Sequence, residues 1–257
     1  MSFSISSDTG KGFNETFKFL ESVSPKQFNY AKKLAINEVA KDVTFVLKRE
    51  MQRVFDRPTR YTLDSLFIRY ATVSNQEAFV SFKQAGSSNA GSAGRYLMSE
   101  VFGGGREAKR SERTLENLGF KGAGDLFLTP ASGAKLDANG NVPRRKWEEV
   151  IAFFKASGGN SFTATSKGGK RLNERAQSGK INQYFMIAPN DTRAQSNRLS
   201  PGIYERKGLG FSKLFSITKR PVYKKRFDFF GVGQQVAADQ FAKRFIEAFE
   251  YAQRTAR

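Results

Sequence analysis

Residues 24–58 read SPKQFNYAKKLAINEVAKDVTFVLKREMQRVFDRP. Ser24 and Pro25 have the chemistry of an N-cap and a first helical position. A serine oxygen can take an orphan N–H, and the missing N–H of proline costs nothing in the first turn. From there Phe28, Ala31, Ala35, Val39, Val43, Val46, Leu47 and Val54 return every three or four residues. That spacing predicts one face of a long amphipathic helix over about residues 25–55. Lys26, Lys32, Lys33, Lys41, Lys48, Arg49 and Arg53 fall on its other face, and Pro58 stops it.

Before this helix, residues 1–24 are polar with scattered Phe, which predicts an N-terminal arm and a short helix near 14–22. After it, Leu66–Thr72 and Ala78–Phe82 flank Ser74-Asn75-Gln76 and read as a β-hairpin. Residues 84–94 have the composition of a flexible linker. Arg95–Phe102 reads as a helix ended by Gly103-Gly104-Gly105. A charged helix at Arg106–Leu118 follows, capped by Gly119. Leu126–Thr129 predicts a short strand, and Asp137-Ala-Asn-Gly140-Asn has turn chemistry. Pro143 opens another helix, with Trp147, Val150, Ile151 and Phe154 on one side. Residues 157–180 lack a core pattern and predict a mobile loop. Asn182–Ala188, Gly202–Arg206 and Phe211–Thr218 read as strands. Gly231 and Gly233 precede a final helix carrying Val236, Phe241, Phe245, Phe249 and Ala252. This order predicts an α+β fold: an antiparallel sheet packed against long N- and C-terminal helices, with an inserted helical, loop-rich middle. The expected division is an arm at 1–24, a core of 25–83 with 181–257, and an insert at 84–180.

The chain of 257 residues carries 43 Lys and Arg against 24 Asp and Glu, a formal net charge of +19. It has no Cys and no His. Disulfide frameworks, Cys/His zinc sites, cysteine nucleophiles and Ser-His-Asp triads are therefore excluded. The first residues lack a basic stretch followed by an apolar one, so no secretory signal is expected. Runs such as Val150–Phe154 are too short to span a bilayer. The charge calls for a polyanion, an acidic protein partner, or both. Gly169-Lys170 is followed by Arg171, and position 164 is Ala, so the P-loop pattern fails. Gly231-Val-Gly233 lacks the third glycine of a dinucleotide fingerprint. Glu112, Glu116, Glu148 and Glu149 read as solvated helix faces, and no cluster has metal-ligand spacing. No catalytic, cofactor-binding or metal-binding residue is expected. Residues 192–226 place ten Lys and Arg against Glu205 alone, interleaved with Tyr204, Phe211, Phe215 and Tyr223, and Phe227 follows. Two readings fit: a nucleic-acid surface with cations on phosphates and rings on bases, or a sheet with its rings in the core and its cations in water.

The segment Glu50-Met-Gln-Arg-Val-Phe-Asp-Arg-Pro-Thr59-Arg-Tyr-Thr-Leu-Asp-Ser-Leu66 resembles the phage minor tail protein Z family of long-tailed bacteriophages and prophages. The likeness continues through Tyr96-Leu97, Val101–Arg106, Lys109-Arg110, Gly133–Asn141, Pro201–Tyr204 and Pro221–Phe227. It implies a structural virion protein that performs no chemistry and completes the head-proximal end of the tail at the neck. It further implies a homo-oligomeric ring, commonly sixfold, around the DNA conduit, with a 25–83 and 181–257 core of tail-completion type. The implied partners are the tail terminator or tail tube and the head-completion or connector proteins, with no membrane. The implied location is the tail and neck of the virion, and the host cytoplasm during assembly. Its architectural motif here comprises Arg53, Phe55, Asp56, Arg57, Pro58, Tyr61, Leu63, Ser65 and Leu66. Lys167, Lys170, Arg171, Arg175 and Lys180 are the candidate basic residues facing DNA or a partner. The alternative is a free, basic DNA- or RNA-binding protein.

Overall fold

The computed structural model describes residues 2–6, 18–21, 24–83, 93–120, 126–156, 174, 178, 182–189, 199–207 and 210–255. The chain forms two compact units. One joins Met1–Gly103 to Lys224–Arg257, and the other is Gly104–Tyr223.

The first unit is built on α1, Pro25–Val54, and α6, Phe229–Arg254, the last helix of the chain. Nine residues of α1 are buried, among them Ala35, Val39, Val43 and Leu47, as the sequence spacing requires. Ser24 stands at the N-cap position, but its side chain makes no capping bond. A three-stranded antiparallel sheet packs with α1 and is ordered β1–β3–β2: β1 is Ser2–Ile5, β2 is Leu66–Arg69 and β3 is Ala78–Phe82. Ser2 faces Ser81 and Ile5 faces Ala78; Leu66 faces Phe82 and Arg69 faces Phe79. Phe3, Ile5, Ala78, Val80 and Phe82 alternate inward, and each fully buried large side chain contributes about 1.5–3 kcal/mol. Arg69 lies 4.1 Å over the Phe79 ring on the opposite face. The one-turn α2, Arg60–Leu63, and α3, Ala93–Phe102, complete this unit.

The second unit opens and closes on one ribbon. In it β4, Gly104–Gly105, pairs antiparallel with β9, Val222–Tyr223. Between them lie α4, Arg110–Asn117; β5, Phe127–Pro130; α5, Arg144–Ala156; β6, Gln183–Ile187; β7, Gly202–Lys207; and β8, Gly210–Thr218. The strands form an antiparallel sheet ordered β5–β8–β7–β6, with a bulge at Ile203/Tyr204. One face buries Leu115, Leu126, Leu128, Val150, Phe154, Ile203 and Phe215, with Trp147 stacked on Phe215 at 4.1 Å. The other buries Phe185, Ile187 and Tyr204. Asp137 closes the predicted turn by accepting from the N–H groups of Asn139 and Asn141, both at 2.9 Å, with Gly140 at φ 77°.

Four expectations change. Ser2–Ile5 is a core strand and not part of an arm, because Phe3 and Ile5 have apolar partners only after β3 returns. The strands of 181–223 close on β5 inside the insert, so the core unit is 1–103 with 224–257, in place of 25–83 with 181–257. The charged helix begins at Arg110 and not Arg106, since Gly104–Gly105 is drawn into the ribbon. The last helix starts at Phe229 and contains both Gly231 and Gly233. Asp228 caps it by accepting from the Gly231 N–H at 3.4 Å. Gly233 faces Phe3, whose ring would lie 3.3 Å from an added Cβ. Of the expected linker at 84–94, residues 84–92 lie outside the described residues and Ala93 and Gly94 begin α3; almost all of the loop at 157–180 also lies outside them.

Candidate functional site

The motif of residues 53–66 is the turn that carries α1 into the sheet. Arg53 forks onto Glu50 at 2.8 and 2.6 Å on the last turn of α1. Phe55 leaves the helix in an extended conformation, and its ring meets Phe227 edge-on at 5.7 Å. Asp56 accepts from Arg57, which sits at φ 45°, a left-handed conformation uncommon for a side chain of its size. Pro58 prevents return to helix. Thr59 then caps α2 by accepting from the Thr62 N–H. The Thr59, Thr62 and Tyr96 hydroxyls form a chain with spacings of 2.9 and 3.0 Å. Ser65, buried, donates to the Thr62 carbonyl at 2.6 Å, and its own carbonyl accepts from the Lys83 N–H. Leu63 packs on the core, Leu66 is buried and Tyr61 is exposed. These bonds tie the segment to itself and to Tyr96 and Lys83 beside it, which makes the motif a structural latch.

The candidate basic residues Lys167, Lys170, Arg171, Arg175 and Lys180 all lie outside the described residues. The interleaved segment 192–226 resolves between its two readings. Phe215 and Phe227 are fully buried and Tyr204 nearly so, and Phe211 alone of the five rings is exposed, at 55%. Its described cations are held in different ways. Lys225 pairs with Asp228 at 3.0 Å, Lys213 donates to the Ser200 hydroxyl at 2.8 Å, and Arg226 forks onto Glu100 with both bonds at 2.9 Å. Among the described residues, Tyr204, Phe215 and Phe227 therefore serve the core, while Phe211 is exposed and Tyr223 half-buried.

Three carboxylates are buried among the described residues: Glu100, Glu112 and Glu205. Glu112 accepts four bonds, from Arg106 Nη1 at 2.7 Å and Nη2 at 2.6 Å, from the Lys109 N–H at 2.6 Å and from the Leu128 N–H at 2.8 Å. Burial pushes its carboxyl up, but the Arg106 guanidinium and the two backbone N–H groups hold it net below the usual glutamate range. Glu205 meets Lys146 at 2.9 Å and the Tyr184 hydroxyl at 3.2 Å, and Glu149 reaches the same two groups at 3.1 and 3.3 Å. Burial alone would lower the Lys146 ammonium. Its bonds to Glu205, Tyr184 and Glu149 more than reverse that and hold it well above the usual lysine value. Burial raises the Tyr184 hydroxyl. This convergence of α5 with β6 and β7 escapes sequence reading, because Lys146 and Glu205 are 59 residues apart. The Arg106–Glu112 pair left one trace, a glutamate three residues after a helix-start position.

Chemically, these clusters hold protons in fixed places. Each buried carboxylate lies against a basic side chain: Glu100 against Arg226, Glu112 against Arg106 and Glu205 against Lys146. Among the described residues no group of three His, Cys, Asp or Glu could hold a metal ion. No helix among them is long and apolar enough to cross a membrane.

No protein-family model, curated protein or solved structure matches this chain.

The functional reading therefore rests on the chain's own residues. They offer ion pairs that hold elements in place, large rings left exposed on the first unit at Phe45, Tyr61, Phe67 and Tyr70, and a strong excess of positive charge.

Proposed function

We propose that the protein is a structural component of a bacteriophage tail that completes its head-proximal end and joins it to the head. It would act as one member of a homo-oligomeric ring around the DNA conduit. The observation that carries this reading is that, among the described residues, each of the three buried carboxylates pairs with an Arg or Lys of its own unit, an arrangement that serves rigidity. The resemblance of residues 50–66 supplies the context, and the latch geometry of that segment agrees with an architectural role. The exposed rings of the first unit suit burial against other copies or against the tail and connector proteins. The excess of cations suits non-specific contact with genomic DNA.

Labelling of purified particles tests the reading. Antibody or tag density at the head–tail junction is expected, and absence of the protein from the tail overturns it. The free nucleic-acid-binding alternative draws on the +19 charge; four of the five rings in 204–227 are not exposed, so its contacts there would fall on phosphates more than on stacked bases.

A further inference from the structure

In the unit 104–223 a cleft of about 240 Å3 is lined by Arg106, Glu107, Ala108, Arg113, Phe127 and Arg220. Arg106 forms its inner wall, forked onto Glu112 and placed 5.0 Å over the Phe127 ring. Its charge is matched. Arg220 is held differently. Its Nε donates to the Arg106 carbonyl at 3.1 Å and its Nη2 to the Gly105 carbonyl at 3.4 Å. Both acceptors are neutral, so the guanidinium is oriented without being neutralised. Gly105 permits this approach, because a Cβ there would lie 2.6 Å from Arg220 Nε. Arg113 projects from α4 to the same cleft and is exposed. No carboxylate among the described residues forms an ion pair with Arg113 or Arg220.

We propose that this cleft binds a phosphodiester of a nucleic-acid backbone. Oriented guanidinium forks match phosphate oxygens in geometry, and Arg220 already has part of its ordering cost met by the two carbonyls. With Glu112 matching Arg106 behind and Glu107 on the rim, Arg113 and Arg220 keep the cleft positive, which suits a phosphodiester. The volume is below the usual range for a small-molecule pocket, about 300–1,000 Å3, and suits one group presented by a larger molecule. No base-reading geometry is present, so the contact is independent of sequence. The inference stands apart from the virion reading, since it concerns the purified chain.

Fluorescence anisotropy of the full chain with a short mixed-sequence DNA duplex, over a series of salt concentrations, tests it. Arg113→Gln and Arg220→Gln are each expected to bind about tenfold more weakly, and the pair together to lower the log–log salt slope by about one. Glu107→Gln is expected to bind more tightly. Arg144→Gln removes the same charge from an exposed pair with Glu148 in the same unit and is expected to change little. The Arg113 side chain is exposed and has no hydrogen-bond or ion-pair partner among the described residues, so its variant remains informative if Arg220→Gln is unstable. Three outcomes overturn the proposal: cleft variants that behave like Arg144→Gln, no duplex binding at physiological salt, or binding in which inorganic phosphate occupies the cleft while duplex affinity ignores it.

Discussion

Glu112 shows how much one side chain can carry. It has no exposure and satisfies Arg106, the start of α4 and the first strand of the larger sheet together. Removing one partner leaves the other charged and buried, which costs about 3–5 kcal/mol. Arg106→Met and Glu112→Leu are each expected to lower the unfolding free energy by that amount, and the double variant by clearly less than the sum. A double-mutant cycle in urea measures it. The pair also sets an acid limit. A carboxyl held below its ordinary value in the folded state contributes stability above its unfolded value, about 4.3, and loses it as the pH falls through the folded value. Unfolding free energy should therefore drop in acid below about pH 4.3. That drop should be shallower in Glu112→Leu when urea midpoints are compared across the range.

Among elements, the two long helices differ in how they could be read. Helix α1 was legible in its main face, since Phe28, Ala31, Ala35, Val39, Val43 and Leu47 keep the spacing and are buried, while Ile36, Ala40 and Met51 join them and Val46 and Val54 stay half-buried. The start of α6 was not. Gly231 and Gly233 look like punctuation, yet Gly233 is small because Phe3, at the far end of the chain, packs against it. No local signal encodes that contact. A larger side chain must displace the ring, so Gly233→Leu is expected to cost about 1–3 kcal/mol by overpacking in thermal or denaturant unfolding. Ile5→Ala, which opens a cavity beneath β1, is expected to cost about 2–5 kcal/mol in the same measurement. The same limit applies to the sites. The Lys146–Glu205 and Arg220–Gly105 contacts join residues 59 and 115 positions apart, so helical periodicity and short motifs could not reveal them.

For the whole molecule, the fold class was legible and the division was not. The strands of 183–218 resemble a continuation of the first sheet until β5 pairs with β8. Gly104 and Tyr223 then face each other across the ribbon, as neighbours in an antiparallel pair about 5 Å apart. Replacing 106–221 with a tight Gly-containing turn should thus leave Met1–Gly103 and Lys224–Arg257 folded. Far-ultraviolet circular dichroism with a single cooperative melt is the expected result, and a chain without cooperative unfolding would count against it. The ribbon has a mechanical consequence as well. Because the chain departs and comes back at adjacent points, tension applied between the first and last residues loads the outer unit alone while that unit holds. The inserted 104–223 is shielded until then, and when the load arrives it pulls at the open end of a ladder of only two residue pairs, a weak zipper that parts before its sheet is strained.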